Sequence, residues 1–291
     1  MYHRVVPAKI IDGKKLSEEI QAEIAREVAL LKKEKGIVPG LAVVLVGDHE
    51  ASRIYVRNKE AACKKAGMFA EQHTLPASIA EEELLHLITT LNHDPKIHAI
   101  LVQLPLPKGI DQKRVLESIL PEKDVDGFHP TNMGNLLSGH TTIAPCTPMG
   151  ILKILESIDC RIEGKEAVVV GRSNIVGKPA ALLLLQHHAT VTLCHTRTRN
   201  LADHVGRADI LVVAAGQPEV IKGGWIKPGA VVIDVGMNRL AGARPVTGKL
   251  VGDVEFEAAR SRAGWITPVP GGVGPMTVTM LLWNTLQAAK K

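Results

Sequence analysis

The sequence predicts an α/β protein made of two α/β domains joined without a loose linker, and three observations predict it. Apolar runs of strand length alternate with amphipathic stretches of helix length, once in each half of the chain. Aromatic residues make up only 3% of the 291 residues, so the cores must be filled by Val, Ile, Leu and Ala, as in buried parallel sheets. Val168–Pro179 reads as a strand, a glycine turn and a helix start, the opening of a nucleotide-binding βα unit.

In the first half, Lys14–Lys35 is a long helix with Leu16, Ile20, Ile24, Val28 and Leu31 on one stripe, ended by Gly36 and Pro39. Leu41–Gly47 is a buried strand, Ser52–Ala66 a helix stopped by Gly67, and Phe69–Leu75 a second strand. Ala80–Asn92 is helical and Ala99–Leu104 is a third strand. Pro105-Leu106-Pro107 cannot continue a central strand, so the chain leaves the sheet at a carboxyl end, where open α/β sheets bind ligands. A short helix and the loop Pro121–Phe128 follow.

A helix starts near Thr147-Pro148, with Thr as cap and Pro in the first turn, and runs to about Ser157. Strand Glu166–Val170, helix Lys178–Gln186, strand Thr190–Cys194, helix Asn200–Val205, strand Ile210–Ala214 and strand Val231–Val235 complete the second unit. The last helix, Thr277–Gln287, can pack on either unit. The domains are expected at 1–146, with the C-terminal helix 277–291 returning to it, and at 147–276.

The composition excludes several classes. The charge of +5 comes from scattered Lys and Arg, which suits anionic small ligands rather than nucleic acid. Met1 to Ile11 has no apolar signal-peptide core, and the longest apolar run, Ala180–Leu185, is far too short to span a membrane. Cys63, Cys146, Cys160 and Cys194 show no C-x-x-C spacing, and the twelve histidines no ligand spacing. No metal site is expected.

The glycine turn places Gly171 at the tight bend and Gly177 where a phosphate or the helix comes close; free N–H groups at the helix start suit a pyrophosphate. Ser173 stands where G-x-G-x-x-G has its second glycine. The second strand of this unit ends in Cys194-His195-Thr196-Arg197, without the acidic residue typical of an NAD site. Thr196, Arg197 and Arg172 instead offer donors to a ribose 2′-phosphate, favouring NADP.

Tyr55 and Lys59 are four apart and share a helix face. Tyr55 can stack on a flat heterocycle, and a lysine in a partly dry cleft can be tuned for acid–base work. By spacing alone, a Tyr–Lys pair four apart is usually plain helix surface. Gln103 is a polar residue at a strand end. Asp124 and Asp126 lie in a turn whose plainest reading is Asx-turn chemistry. Pro270–Thr277 (PGGVGPMT) packs three glycines and two prolines into eight residues, a stiff irregular loop whose bare N–H groups can hold a flat polar ligand.

Taken together, Tyr55–Lys59, Val102–Pro105, Pro121–Gly127 (PEKDVDG), Gly171–Pro179 (GRSNIVGKP), Asp234-Val235-Gly236 and Pro270–Thr277 resemble the bifunctional methylenetetrahydrofolate dehydrogenase/cyclohydrolase family along essentially the whole chain. The resemblance implies a cytoplasmic homodimer of one-carbon metabolism and purine biosynthesis. It implies an N-terminal catalytic domain, a C-terminal Rossmann-type NADP-binding domain and a cleft between them. The substrates it implies are tetrahydrofolate derivatives. Lys59 becomes the general acid/base, Tyr55 the pterin-stacking ring, Gln103 the residue that tunes the lysine and Asp126 the pterin-binding carboxylate. Leu104, Pro270, Gly271 and Gly272 line the folate site. Gly171, Arg172, Ser173, Gly177, Thr196 and Met237 hold NADP. Met237 stands where isoleucine is common, and Glu255, in Gly252-Asp253-Val254-Glu255, where Asp is frequent. A two-domain NADP dehydrogenase of the shikimate type is the alternative enzyme, and a non-catalytic nucleotide sensor a third reading; PEKDVDG and PGGVGPMT speak against the alternative enzyme.

Overall fold

The computed structural model describes residues 7–239 and 249–291. Most of the segment Met1–Ile11, read above for a leader, therefore lies outside the described residues.

The chain begins with β1 (Lys9–Ile10), α1 (Gly13–Lys35), β2 (Gly40–Val46), α2 (Glu50–Lys65), β3 (Phe69–Leu75), α3 (Glu81–His93) and β4 (Ala99–Val102). Three helices follow: α4 (Gln112–Glu117), α5 (Pro130–Ser138) and α6 (Cys146–Ser157). Then come β5 (Glu166–Val170), α7 (Gly177–Gln186), β6 (Thr190–Cys194), α8 (Leu201–Val205) and β7 (Ile210–Val213). A 3₁₀ turn at Gly223–Trp225 precedes β8 (Val231–Asp234), β9 (Asn238–Arg239) and β10 (Leu250–Val251). Last are α9 (Phe256–Arg260), β11 (Trp265–Ile266) and α10 (Val273–Ala289). Two compact units form, Glu18–Cys146 with Val278–Lys291, and the described residues to Ser17 with Thr147–Thr277.

The unit containing Glu18–Cys146 is built on a parallel sheet of order β3-β2-β4. All seven residues of β2 are buried, which its unbroken apolar sequence requires. α3 buries Leu84, Ile88 and Leu91, one face at i, i+4 and i+7, against Val44, Ile100 and Val102. Its first turn carries Glu81, Glu82 and Glu83, the favourable sign for that end of a helix. On α1, Ile24, Val28 and Leu31 are buried, the lower part of the expected stripe.

The C-terminal residues join this unit by burying Leu281, Leu282 and Leu286, and one polar side chain among them is tied to its carbonyls. Asn284 is 3% exposed, and its Nδ2 donates to Val125 O at 2.8 Å and Ala144 O at 3.0 Å. Asn284→Ala strands both buried carbonyls and is expected to lower the unfolding free energy by about 2–4 kcal/mol. Urea unfolding reads this directly; a loss under about 0.5 kcal/mol means those carbonyls find other donors.

The other unit is a six-stranded parallel sheet of order β1-β11-β8-β7-β5-β6. β5 through β8 follow the expected series, and β7 and β8 are buried along their whole length. β1 and β11 were not anticipated. Each is two residues long, too short for any periodicity, and they pair as Lys9↔Trp265 and Ile10↔Ile266. That pairing draws the described residues up to Ser17 into this unit, whereas the sequence grouped them with 1–146.

Two short helices were also missed. α5 has its signals in the sequence, with Pro130 in the first turn and Gly139 closing it at φ +80°. α9 is five residues long. Gly223 N–H donates to Glu255 Oε2, 3.1 Å away, so the longer acid at this position ties α9 to the 3₁₀ turn. α10 starts at Val273, not Thr277, so the irregular stretch of PGGVGPMT shrinks to Pro270–Gly272. Pro275 fits because the first helical turn asks for no N–H at that position. Among the described residues, no helix is long and apolar enough to cross a membrane.

Candidate active site and dinucleotide site

α2 starts just beyond the carboxyl end of β2 and carries Tyr55 and Lys59 one turn apart. Tyr55 is 38% exposed, and Lys59 is 9% exposed. Lys59 Nζ donates to Gln103 Oε1 at 3.0 Å. Gln103 stands one residue beyond β4, still pinned to the sheet by its N–H on Val44 O at 2.8 Å. Its Nε2 donates to Leu104 O at 2.8 Å, which turns the amide so that its oxygen faces the lysine. The strand end, the half-buried Leu104 and the helix thus fix the ammonium group at a defined place.

Asp124 and Asp126 separate into two jobs. Asp124 is 2% exposed, and its Oδ2 accepts from His129 N and from Asn132 Nδ2, both at 2.8 Å. It fastens the start of α5, the turn chemistry expected of such a residue. Asp126 is half-buried beside Lys59. Burial raises its carboxyl to about 6, the Lys59 charge opposes the rise, and Asp124 adds to it. Cys146 completes the surroundings. Its Sγ donates to Val125 O at 3.2 Å, and burial, with Asp126 next in weight, pushes its thiol well above the usual range. Cys146 and Asn284 escaped the sequence reading because a lone Cys and a lone Asn in helices carry no spacing signal.

The raised Asp126 has a signed consequence. The folded chain holds a proton here that the unfolded chain, at 3.8, releases. This contribution to stability is fully present below pH 3.8 and is lost as pH rises through about 6. Stability of wild type relative to Asp126→Asn is expected to fall by up to about 3 kcal/mol from pH 4 to 7. Denaturant unfolding at several pH values checks it; a pH-independent difference contradicts it.

In the other unit, β5 lies between β6 and β7, so the crevice at its carboxyl end is the topological switch point of the sheet. Gly171 occupies that point with φ +122°, and a Cβ there would lie 2.1 Å from Ala214 O. A Cβ on Gly177 would lie 2.0 Å from Gly171 O. Bare backbone is therefore obligatory at both positions, and the cradle they form fits a dinucleotide.

Ser173 modifies the expectation of free N–H groups at this helix start. Its Oγ accepts from Val176 N at 3.1 Å and Gly177 N at 3.3 Å, capping both, while its hydroxyl proton stays available as a donor. Arg172, Thr196 and Arg197 are exposed. The Thr196 turn is held by His195 N on Thr198 Oγ1 at 2.9 Å and Arg197 N on His195 Nδ1 at 3.1 Å. Met237 is 46% exposed, beyond β8.

Pro270, Gly271 and Gly272 belong to this second unit, and Lys59, Gln103 and Asp126 to the other. Gly272 N–H is not bare, since it donates to Pro268 O at 2.9 Å, and Gly271 O accepts from Lys14 N at 3.0 Å.

Two buried aspartates also lie here. Asp234 accepts from Gly236 N, Asp253 N and Val254 N, each at 2.9 Å. Burial raises its carboxyl to about 7 against those donors, and the Asp253 charge adds to the rise. Asp234-Val235-Gly236 was noticed in the sequence, but a buried acceptor of main-chain N–H groups has no sequence signature. Among the described residues, no group of three or more His, Cys, Asp or Glu could hold a metal ion.

Comparison with known proteins matches both parts of the chain. Residues 11–126 match the model of the tetrahydrofolate dehydrogenase/cyclohydrolase catalytic domain, and residues 145–291 that of the NAD(P)-binding domain of the same family. The bifunctional protein FolD of Geotalea uraniireducens is 60% identical over 284 residues, covering 98% of this chain and 99% of that one. Its counterpart in Moorella thermoacetica is 59% identical over 286 residues, covering 98% and 100%. Among solved structures, the FolD methylenetetrahydrofolate dehydrogenase/cyclohydrolase of Campylobacter jejuni superposes with TM-score 0.94 at 48% identity, over 97% of this chain and 99% of that one. The Trypanosoma brucei FolD, solved with NADP cofactor and an inhibitor, gives 0.94 at 44% identity over 98% of each chain. With both of its domains matched in order and close relatives along nearly its full length, the chain belongs to the tetrahydrofolate dehydrogenase/cyclohydrolase family.

Proposed function

We propose that the chain oxidises 5,10-methylenetetrahydrofolate to 5,10-methenyltetrahydrofolate with NADP, and hydrolyses the product to 10-formyltetrahydrofolate. The observation that carries this reading is the buried Lys59 held on Gln103 Oε1 at 3.0 Å, next to the Asp126 carboxyl.

NADP, when bound, supplies the acceptor for the hydride that leaves the methylene carbon. Gly171 and Gly177 give it bare backbone, Ser173 its free hydroxyl proton, and Arg172 and Thr196 donors for a 2′-phosphate; Met237 contributes bulk on the nicotinamide side. Tyr55 stacks on the pterin and Asp126 binds its polar edge, so the reacting carbon is aligned without an acid. Leu104, Pro270, Gly271 and Gly272 border the folate.

In hydrolysis, Lys59 takes a proton from water as the oxygen bonds to the methenyl carbon. It returns that proton to ring nitrogen N5 as the N5–carbon bond breaks, while the proton of the added hydroxyl is released to solvent and the C=O of the formyl group forms on N10. Gln103 accepts from the ammonium and keeps it aimed through this exchange.

We read the protein as cytoplasmic, feeding one-carbon units to purine biosynthesis, with no nucleic-acid or membrane partner. We also read it as a homodimer; β3 is an edge strand of seven residues, and an uncovered edge of that length invites pairing with a second copy. Sedimentation equilibrium giving only monomer removes the dimer.

The test of the activity supplies the two substrates separately. Methenyltetrahydrofolate alone should give 10-formyl product without any dinucleotide, and methylenetetrahydrofolate should be oxidised with NADP in preference to NAD. Absence of both reactions overturns the reading. Equal use of NAD removes the role given to Arg172 and Thr196.

A further inference from the structure

The two buried aspartates of the second unit form a connected device. Asp253 is fully buried. Its Oδ2 accepts from Ala215 N at 2.6 Å and Gly216 N at 2.9 Å, and its Oδ1 from Gln217 N at 3.0 Å and Asn238 Nδ2 at 2.8 Å. Three consecutive main-chain N–H groups converging on one anion make a nest, and here the anion is the protein's own carboxylate. Asp253 N–H then donates to Asp234 Oδ1, which also accepts from Gly236 N, both at 2.9 Å. The Asp253 carboxylate therefore fixes the loop leaving β7 and, through Asn238, the chain leaving β8, while the Asp253 main-chain N–H ties the same residue to Asp234.

These are the strand ends on the far side of the switch point from Thr196. A dinucleotide whose 2′-phosphate lies at the end of β6 and whose pyrophosphate lies at Gly171 must lay its other half toward β7 and β8. The same clamp sets Ala214 O, the atom against which Gly171 is packed. We propose that Asp253 is a positioning residue for hydride transfer: it holds rigid the two loops that carry the nicotinamide half of NADP. This inference rests on the dehydrogenase activity proposed above. Asp253 touches neither ligand, and its effect on the reaction passes through alignment, where a misplacement of about 1 Å lowers a rate about 100-fold.

The test uses the full-length chain with Asp253→Asn, which keeps the size and removes the charge, and Asn238→Ala, which removes only the side-chain donor. Four quantities are read: amide hydrogen exchange at Ala215–Gln217 without ligand, NADP affinity, the two reaction rates, and the primary isotope effect with deuterated methylene substrate. Asp253→Asn is expected to raise exchange at Ala215–Gln217 at least tenfold while the amides of β5 stay protected. The oxidation rate should fall about 100-fold with a larger isotope effect. Hydrolysis of supplied methenyltetrahydrofolate should stay within twofold, and NADP affinity within tenfold. Asn238→Ala should show the same pattern at several-fold size, and it decides the matter if Asp253→Asn does not fold. Unchanged oxidation rate and isotope effect in a folded variant overturn the proposal, as does a parallel fall of both activities. Wild type lacking oxidation in the same assay marks failure of the activity itself, separately from the role of Asp253.

Discussion

Lys59→Ala is expected to lower hydrolysis of supplied methenyltetrahydrofolate by about 10²–10⁴-fold, the range that a positioned acid–base group contributes. The substitution leaves Gln103 Oε1 without the donor that sits 3.0 Å away, and it removes the charge that opposes the rise of Asp126. Oxidation should fall less, because moving a hydride needs stacking and alignment more than a proton carrier. Lys59→Arg separates charge from chemistry. A guanidinium keeps the cation but does not surrender its proton, so hydrolysis should stay low while Asp126 keeps its counter-charge. Steady-state rates on each substrate give both numbers. Hydrolysis within tenfold of wild type in Lys59→Ala would assign the proton transfers elsewhere.

Gly177→Ala should have the opposite selectivity. Its Cβ would stand 2.0 Å from Gly171 O and 2.9 Å from Arg172 N, so the main chain of the turn must shift by more than an ångström. Side-chain relaxation offers no escape, since both obstructing atoms are backbone. NADP affinity is expected to fall at least 100-fold, and overpacking should remove about 1–3 kcal/mol of stability. Hydrolysis of supplied methenyltetrahydrofolate, which depends on Lys59 in the other unit, should stay within a few-fold. Cofactor titration and circular dichroism read these effects; tight NADP binding in a folded variant would contradict the role of this close approach.

The sequence disclosed what long periodic segments and glycine positions encode. α1, α3, β2 and β5–β8 follow from apolar spacing, and the Gly171 turn from its place between a buried strand and a helix. Two-residue β1 and β11 exist only through pairing, β11 with both β1 and β8, so no local pattern announced them or the grouping of the described residues up to Ser17 with this sheet. The start of α10 was misplaced because glycine and proline were read as barring helix, although a first turn tolerates both. In the site, Lys59 and Gln103 lie 44 residues apart, and only the fold makes them partners. Asp253, with no periodicity and an ordinary Gly-Asp-Val context, becomes visible only when the N–H groups around it are traced.

The most direct test follows one mixture of wild-type protein, methylenetetrahydrofolate and NADP, reading NADPH by absorbance and the folate products by chromatography. NADPH and 10-formyltetrahydrofolate should rise together in equal amounts, with methenyl product kept low, while Lys59→Ala should pile up methenyl product behind whatever NADPH it forms. NADPH formed with methenyl product accumulating equally in wild type and in Lys59→Ala would contradict a single chain that performs both steps through that lysine.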